Sequence, residues 1–320
     1  MRCTFTALLL LFWGGFAAAQ APADAPAPAD APATSDAPAA TDDSSGEGVQ
    51  LRWQFTAGKK LTVTMTQEMK QEMKVAGQAM TSNMVNKTWS DWNTASVQED
   101  GSAKILSTVT RVLMEMDNPV TGKMTIDTDQ EAAEDGQAAQ LDAMIRPMVG
   151  VEISNQMNPR GEVSDVKIPE EALAGLKGAA GGMLSADQMG EMMQKVSPVF
   201  PAKGLVEGDS WDAASEVKTP VGKMKVASKY TYEGPVESGG KSLHSIKVEM
   251  EMEFEAPEGG PEIEFGDQKS TGIMLFDNDN GRLVRSDVEQ SFTLKVNAAP
   301  GQVLEQTISQ KMSNVVEDAE

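Results

Sequence analysis

The residues able to do chemistry are few, and their spacing excludes more than it permits. The chain of 320 residues contains one histidine, His244, and one cysteine, Cys3. Zinc catalysis draws on several imidazole or thiolate ligands, which this composition does not supply. Gly208-Asp209-Ser210 has the form of the nucleophile block of a class of secreted esterases. A serine there needs a base, which those enzymes take from an Asp-x-x-His near the C-terminus. No such element occurs, nor does a Gly-x-Ser-x-Gly elbow. His244 shares parity with Ile246 and Val248, which puts it on the inner face of a strand or at its end. Asp277-Asn278-Asp279-Asn280-Gly281 looks like the front of a calcium loop. Its glycine arrives one position early, however, and Val288 stands where the twelfth-position glutamate belongs. A tight hairpin turn accounts for the cluster. Gly178-Ala179-Ala180-Gly181-Gly182 lacks the lysine and hydroxyl of a phosphate loop. Spacing singles out no carboxylate pair for glycoside cleavage. The sequence therefore assigns no catalytic residue, no metal ligand and no cofactor, and the expectation is a protein that is not an enzyme.

Methionine is the unusual component, with 21 residues. Thioethers can hold copper(I) in exported proteins. Here they fall at strand alternation or on a helical stripe among Leu, Val and Ile, which is a packing pattern. Flexible methionine also suits adaptable apolar binding surfaces. The candidates for lining a lipophilic groove are Met65, Met69, Met189, Met192, Met193, Met250, Met252 and Phe254.

The elements that would carry those residues read as strands. A strand–turn–strand signature occurs twice, at Gly150–Asp165 and at Gly272–Asp287. In each, an apolar run (Val151 and Ile153; Ile273 and Leu275) enters a cluster of Asn, Asp, Pro and Gly. From Leu61 to Val75 an apolar and a polar face alternate with period two. The same pattern runs through Leu106, Thr108, Thr110, Val112, Met114 and Met116, and most cleanly through Ile246, Val248, Met250, Met252 and Phe254. Leu141, Met144, Ile145 and Met148 fall at helical spacing, with Pro147 limiting the length. A central helical segment is predicted at 169–200, opened by Pro169-Glu170-Glu171 and carrying a Met189, Met192, Met193, Val196 stripe. The fold class is mainly β with some helix (α+β): a duplicated, long-stranded antiparallel sheet or half-barrel.

Residues 1–19 have Arg2, an apolar core from Phe5 to Phe16, and Ala17-Ala18-Ala19, the form of a secretory signal cleaved after Ala19. The expected location is periplasmic or extracellular. No later run approaches the ~20 apolar residues of a spanning helix. Residues 20–49 repeat Ala, Pro and Asp with almost nothing large and apolar, which predicts a disordered tether. The remaining organisation is a first β-rich half at 51–168, the helical bridge at 169–200 and a second β-rich half at 201–318. Net charge is −21. Without a basic patch, nucleic acid and anionic membrane surfaces are disfavoured as partners.

These residues also carry a resemblance. Phe55-x-x-Gly58-Lys59-Lys60, Asn158-Pro-Arg-Gly-Glu-Val-Ser-Asp-Val166, Phe200-Pro201, Val206-Glu-Gly-Asp-Ser-Trp211 and Phe276-Asp-x-x-x-Gly-Arg-Leu283 occur in that order. The set resembles a family of exported bacterial proteins known as domain of unknown function 6263, over most of 51–316. The resemblance implies an antiparallel β architecture and no activity. Three functions stay open: an exported binding or carrier module for a lipid or an envelope partner, a packed interaction protein with no ligand, and a carboxylate hydrolase. The first is preferred.

Overall fold

The computed structural model describes residues 48–75, 78–119, 121–169, 190, 194, 198–219, 222–255, 263–299 and 302–319. The segments expected to be a signal (1–19), nearly all of a tether (20–49), the turn at Gly77 and most of a helical bridge (169–200), and Met189, Met192 and Met193, lie outside them. Among the described residues twelve strands form one antiparallel sheet: β1 (Lys60–Val75), β2 (Gln78–Val97), β3 (Ala103–Asn118), β4 (Gly122–Asp127), β5 (Glu152–Met157), β6 (Val163–Lys167), β7 (Ser210–Thr219), β8 (Gly222–Ser238), β9 (Lys241–Glu255), β10 (Ile263–Asp277), β11 (Arg282–Ala299) and β12 (Gln302–Asp318). A helix, α1 (Gly136–Ile145), is followed by a 3-10 turn at Arg146–Met148. The order is β6-β5-β3-β2-β1-β12-β11-β10-β9-β8-β7, with β4 on β3, and the sheet is not closed. Each half is a meander, and β1 pairs with β12 along Leu61–Lys74. The halves are thus one continuous sheet.

The sheet curls. The β5–β6 and β10–β11 turns are separated in sheet order by β3, β2, β1 and β12. Yet consecutive residues bind both: Trp53 N–H donates to Pro159 O (2.7 Å) and Gln54 N–H to Gly281 O (2.9 Å). The two turns read from the sequence as hairpin signatures therefore clamp one extended segment. Both glycines sit at positive φ (Gly161 +97°, Gly281 +57°), open to glycine at little steric cost. A second extended segment, 198–205, joins the first. Val49 and Leu205 bridge, Arg52 donates to Pro201 O (2.8 Å) and Ala202 O (2.6 Å), Phe200 N–H donates to Arg160 O (2.8 Å), and Arg160 Nε donates to Phe200 O (2.8 Å).

The main core fills this junction. Phe276 is fully buried, with Trp53 (5.5 Å between centroids) and Phe200 (4.8 Å) edge-on to it. Tyr230, Ile246, Val248, Met250, Met274 and Met312 extend the cluster over the inner face. A second, smaller cluster is formed by Met252, Phe292, Leu294 and Ile308. A third packs Ile145 of α1 against Val112 and Ile126. The outer face carries ion pairs between neighbouring strands, such as Lys311–Glu289 (2.6 Å) and Lys74–Glu305 (3.2 Å). These are exposed and contribute little each. The turns at Gly58 and Gly208 are closed alike: Gly58 N–H donates to Thr94 O and Gly208 N–H to Tyr232 O, both at 2.8 Å.

Two facings differ from the sequence reading. Ile273 is 47% exposed, and Met274 and Phe276 are the buried pair of β10. All four residues of Ile273–Phe276 are apolar, so alternation could not set the face. Pairing with β9 set it, by placing Met274 opposite buried Ile246. In β3 a register shift at Trp89/Ser90 skips Thr110, so Val109 and Val112 share one cluster although their parities differ. An extra residue in one strand has this effect. β4 was not foreseen in the sequence. Six residues with one buried apolar side chain, Ile126, carry little periodic signal.

Candidate functional site

Between the main and second clusters an uncharged polar belt crosses the inner face. Along β11 the inward residues are Val288, Gln290 and Phe292; along β12 they are Met312, Gln310 and Ile308. The glutamines thus sit at the boundary of the two clusters on neighbouring strands. Gln67 Nε2 donates to Gln310 Oε1 (3.3 Å), Gln310 Nε2 to Gln290 Oε1 (2.7 Å), and Gln290 Nε2 to Met252 Sδ (3.2 Å). Gln67, Gln290 and Gln310 are all buried. Asn86 lies opposite Gln67, and Ser270 opposite Gln290. Ser228, between Tyr230 and Val226 on β8, extends the belt further.

The belt satisfies itself at its centre and fails at its ends. Asn86 Oδ1, Ser270 Oγ and Ser228 Oγ are buried with no hydrogen-bond partner. Buried polar atoms are almost always paired, so three orphans on one belt mark it as unusual.

The sheet is also incomplete there. The β9–β10 ladder runs from Phe276–His244 to Thr271–Glu249 and stops, although both strands continue. A register shift between Gly266 and Lys269, with Asp267 at φ +50°, displaces one residue of β10. Gln268 spans the resulting seam with its side chain. Its Oε1 accepts from Met252 N–H (2.8 Å) and its Nε2 donates to Met252 O. A side-chain amide here replaces the peptide group that the bulge removed.

A cleft of about 660 Å³ lies at this seam, bounded by β7, β8, β9 and β10. Ala213, Ser228, Met250, Gln268 and Ser270 line it from the inward-facing set. Asp212, Lys229, Glu249 and Glu251 line it as well. Both orphan serine hydroxyls therefore belong to the cleft. Glu249 is held below the usual carboxylate range by its hydrogen bond and charge pairing with Lys247. A smaller cleft of about 360 Å³, lined by Gln156, Asn158, Glu162 and Ser164, lies at the opposite edge.

The groove residues proposed from sequence are distributed as follows. Met250 is buried in the main cluster and lines the cleft, and Met252 is buried in the second cluster. Met69 is half-buried against that cluster. Met65 is half-buried on the inner face of β1, and Phe254 is half-buried opposite Met224. The residues that sequence reasoning missed are Gln268, Ser270 and Ser228. A slip in parity announced the first two: Phe265 and Phe276 both face clusters at an odd separation, which requires a bulge between them.

The chemical candidates are not assembled into a reaction centre. Ser210 Oγ lies 3.1 Å from Thr231 Oγ1, and His244 Nδ1 lies 2.7 Å from the Tyr232 hydroxyl. Burial lowers the His244 pKa against the opposing pull of Asp279 and Asp277. Burial likewise raises that of Tyr232. Asp277 accepts from Asn280 N–H (3.0 Å) and Nδ2 (2.8 Å), as in a hairpin turn. Among the described residues no cluster of three or more His, Cys, Asp or Glu could hold a metal ion, and no helix is long and apolar enough to cross a membrane.

The stretch from the turn at Gly101 to the end of β9 is the part that matches a known family. Residues 100–258 match the family of unknown function DUF6263. The matched stretch includes the Asn158–Gly161 turn, Ser228 and Met252. No curated protein matches the chain. Among solved structures it is similar to lipovitellin, described for its lipid–protein interactions, at 9% identity and TM-score 0.46. That alignment covers 83% of this chain and 26% of lipovitellin, so the chain spans about a quarter of that protein. DynF from the dynemicin biosynthesis pathway of Micromonospora chersina aligns at 9% identity and TM-score 0.20, covering 83% of this chain and 85% of its own. An outer membrane channel from Pseudomonas putida F1 aligns at 7% identity and TM-score 0.24, covering 82% and 96%.

Proposed function

We propose that the protein is an exported, non-enzymatic binding module that holds a lipophilic ligand against the inner face of its sheet. The observation that carries this reading is the cleft at the β9–β10 seam, into which two buried hydroxyls without partners are built beside an apolar cluster. A buried hydroxyl left unsatisfied costs about 1–3 kcal/mol, a cost that a bound polar group offsets. The cleft volume falls within the range of about 300–1,000 Å³ usual for small-molecule sites. Met69, Met224, Val226 and Phe265 pack against the second cluster and stay half-buried. They offer an apolar wall that flexible side chains can reshape. Export rests on the signal-like residues 1–19, and the Ala/Pro/Asp tract would then tether the sheet domain. The filled junction around Phe276 favours a second reading, a packed interaction module without ligand.

Native mass spectrometry of the mature chain, before and after delipidation, separates the two. A binding module retains a stoichiometric apolar adduct, or after delipidation takes up one equivalent of N-phenyl-1-naphthylamine. A chain that carries no adduct and takes up no probe is the packed scaffold. The mass of the mature chain also tests export, since processing after Ala19 removes 19 residues.

A further inference from the structure

We infer that the ligand is an uncharged amphiphile, with an alcohol, ester or amide as its polar group, and that Ser228 and Ser270 select it. The inference rests on the binding reading above and adds the chemistry of what is bound. The belt between the two clusters is built from Asn86, Gln67, Gln310, Gln290, Ser270 and Ser228, with Met252 Sδ as one acceptor. None of these groups ionises near neutral pH. An ionised carboxylate or ammonium brought to the belt would lose its water and gain no counter-charge there, because Asp212, Glu249 and Glu251 are exposed and stay in water at the outer side of the cleft, and burying an unpaired charge costs far more than burying a neutral polar group.

The cleft reinforces the rejection of anions. Three carboxylates line it, Asp212, Glu249 and Glu251, against one ammonium, Lys229. Glu249 stands opposite Lys229 in the β8–β9 ladder, so even that ammonium has a carboxylate beside it. A serine hydroxyl donates one hydrogen bond and accepts others. Two such hydroxyls, each with no partner in the protein, match a group that both accepts and donates, as in a monoacylglycerol. The acyl chain would then run over Met252, Phe292, Leu294 and Ile308, the cluster adjoining the belt.

The test uses the delipidated mature chain and three amphiphiles with equal twelve-carbon tails, each kept below its micellar concentration at pH 7. They are 1-monolauroylglycerol, laurate and dodecyltrimethylammonium, and each competes against N-phenyl-1-naphthylamine. The expected result is that monolauroylglycerol displaces the probe at a concentration at least about 10-fold lower than either ion, the worth of one or two net hydrogen bonds. The Ser228→Ala/Ser270→Ala variant should lose the preference, its monolauroylglycerol affinity falling about 10-fold toward that of laurate. Its thermal midpoint should be equal or higher, because an unsatisfied hydroxyl is removed. A residue with a merely structural role would lower the midpoint instead. Ser228→Ala alone serves if the double variant misfolds. Equal or tighter binding of laurate or of the ammonium, or an unchanged monolauroylglycerol affinity in the variants, overturns this inference and leaves the binding reading intact. If neither the probe nor any amphiphile binds, both readings fall.

Discussion

Gly281→Ala isolates the clamp that curls the sheet. At this position φ is +57°, and a Cβ would come within 2.3 Å of Gln54 N and 2.4 Å of Gln54 Cβ and Cγ. No contact so short survives, so the 52–54 segment must move away. Three costs follow. Alanine in the left-handed region costs about 1–2 kcal/mol. The Gln54 N–H bond to Gly281 O and the Gln54 Nε2 bond to Asn278 O, both 2.9 Å, are lost or weakened at about 1 kcal/mol each. Trp53 also shifts against Phe276. The total is about 3–4 kcal/mol, a large fraction of a typical 5–15 kcal/mol stability. Gly58→Ala is the control: φ is +81°, and a Cβ there meets nothing within 4 Å. Only the backbone term remains, about 1–2 kcal/mol. Urea unfolding followed by tryptophan fluorescence should therefore place Gly281→Ala about 2 kcal/mol below Gly58→Ala at equal m-value. If the two variants are equally destabilised, the segment does not rest on the turn and the account of the curl is wrong.

Three further outcomes are expected. Phe276→Ala removes a fully buried ring at the junction of two edge-on aromatic contacts and should cost about 3–5 kcal/mol in the same assay; a loss below 1 kcal/mol would mean the junction is not packed. Gln310→Leu breaks two links of the belt and leaves Gln67 and Gln290 partly unpaired, a cost of about 1–3 kcal/mol. Replacing Gln67, Gln290 and Gln310 together by Leu should be milder than that single change, and a strictly additive triple variant would contradict the network. Asp127 is held below the usual carboxylate range by its two hydrogen bonds from Arg111, at 3.0 and 2.7 Å, and by a backbone N–H. Because the folded value is the lower one, its contribution is present above the ordinary aspartate value of about 4 and fades as pH falls through the folded value. Stability measured from pH 5 down to pH 2 should fall less steeply in Asp127→Asn than in the parent; identical slopes would remove Asp127 from the acid response.

Period two was the strongest signal in the chain, and it located β1 and β9 because their inner faces are largely apolar and their outer faces polar, while the two signature hairpins were located by their turn residues. It failed where both faces are apolar, at Ile273–Phe276, and where a bulge shifts the phase, at Thr110 and Gln268. Facing is then chosen by the partner strand. The abundance of methionine was legible as a composition, and Met252 lies in an apolar cluster beside the cleft. The serines that give the cleft its polarity were not legible, because Ser228 and Ser270 acquire meaning only from being buried and unpaired.

From the chain alone came the antiparallel class, the long strands and the two turns. Each of these depends on neighbours within about a dozen residues. The joining of the halves through β1 and β12 did not, nor did the clamp of Trp53 and Gln54 on two remote turns, nor the belt from Asn86 to Ser228. These bring together residues more than 200 positions apart, such as Gln67 and Gln310, separated by 243. The order in which strands close a sheet is a global choice of which edges to bury, and local alternation says nothing about it.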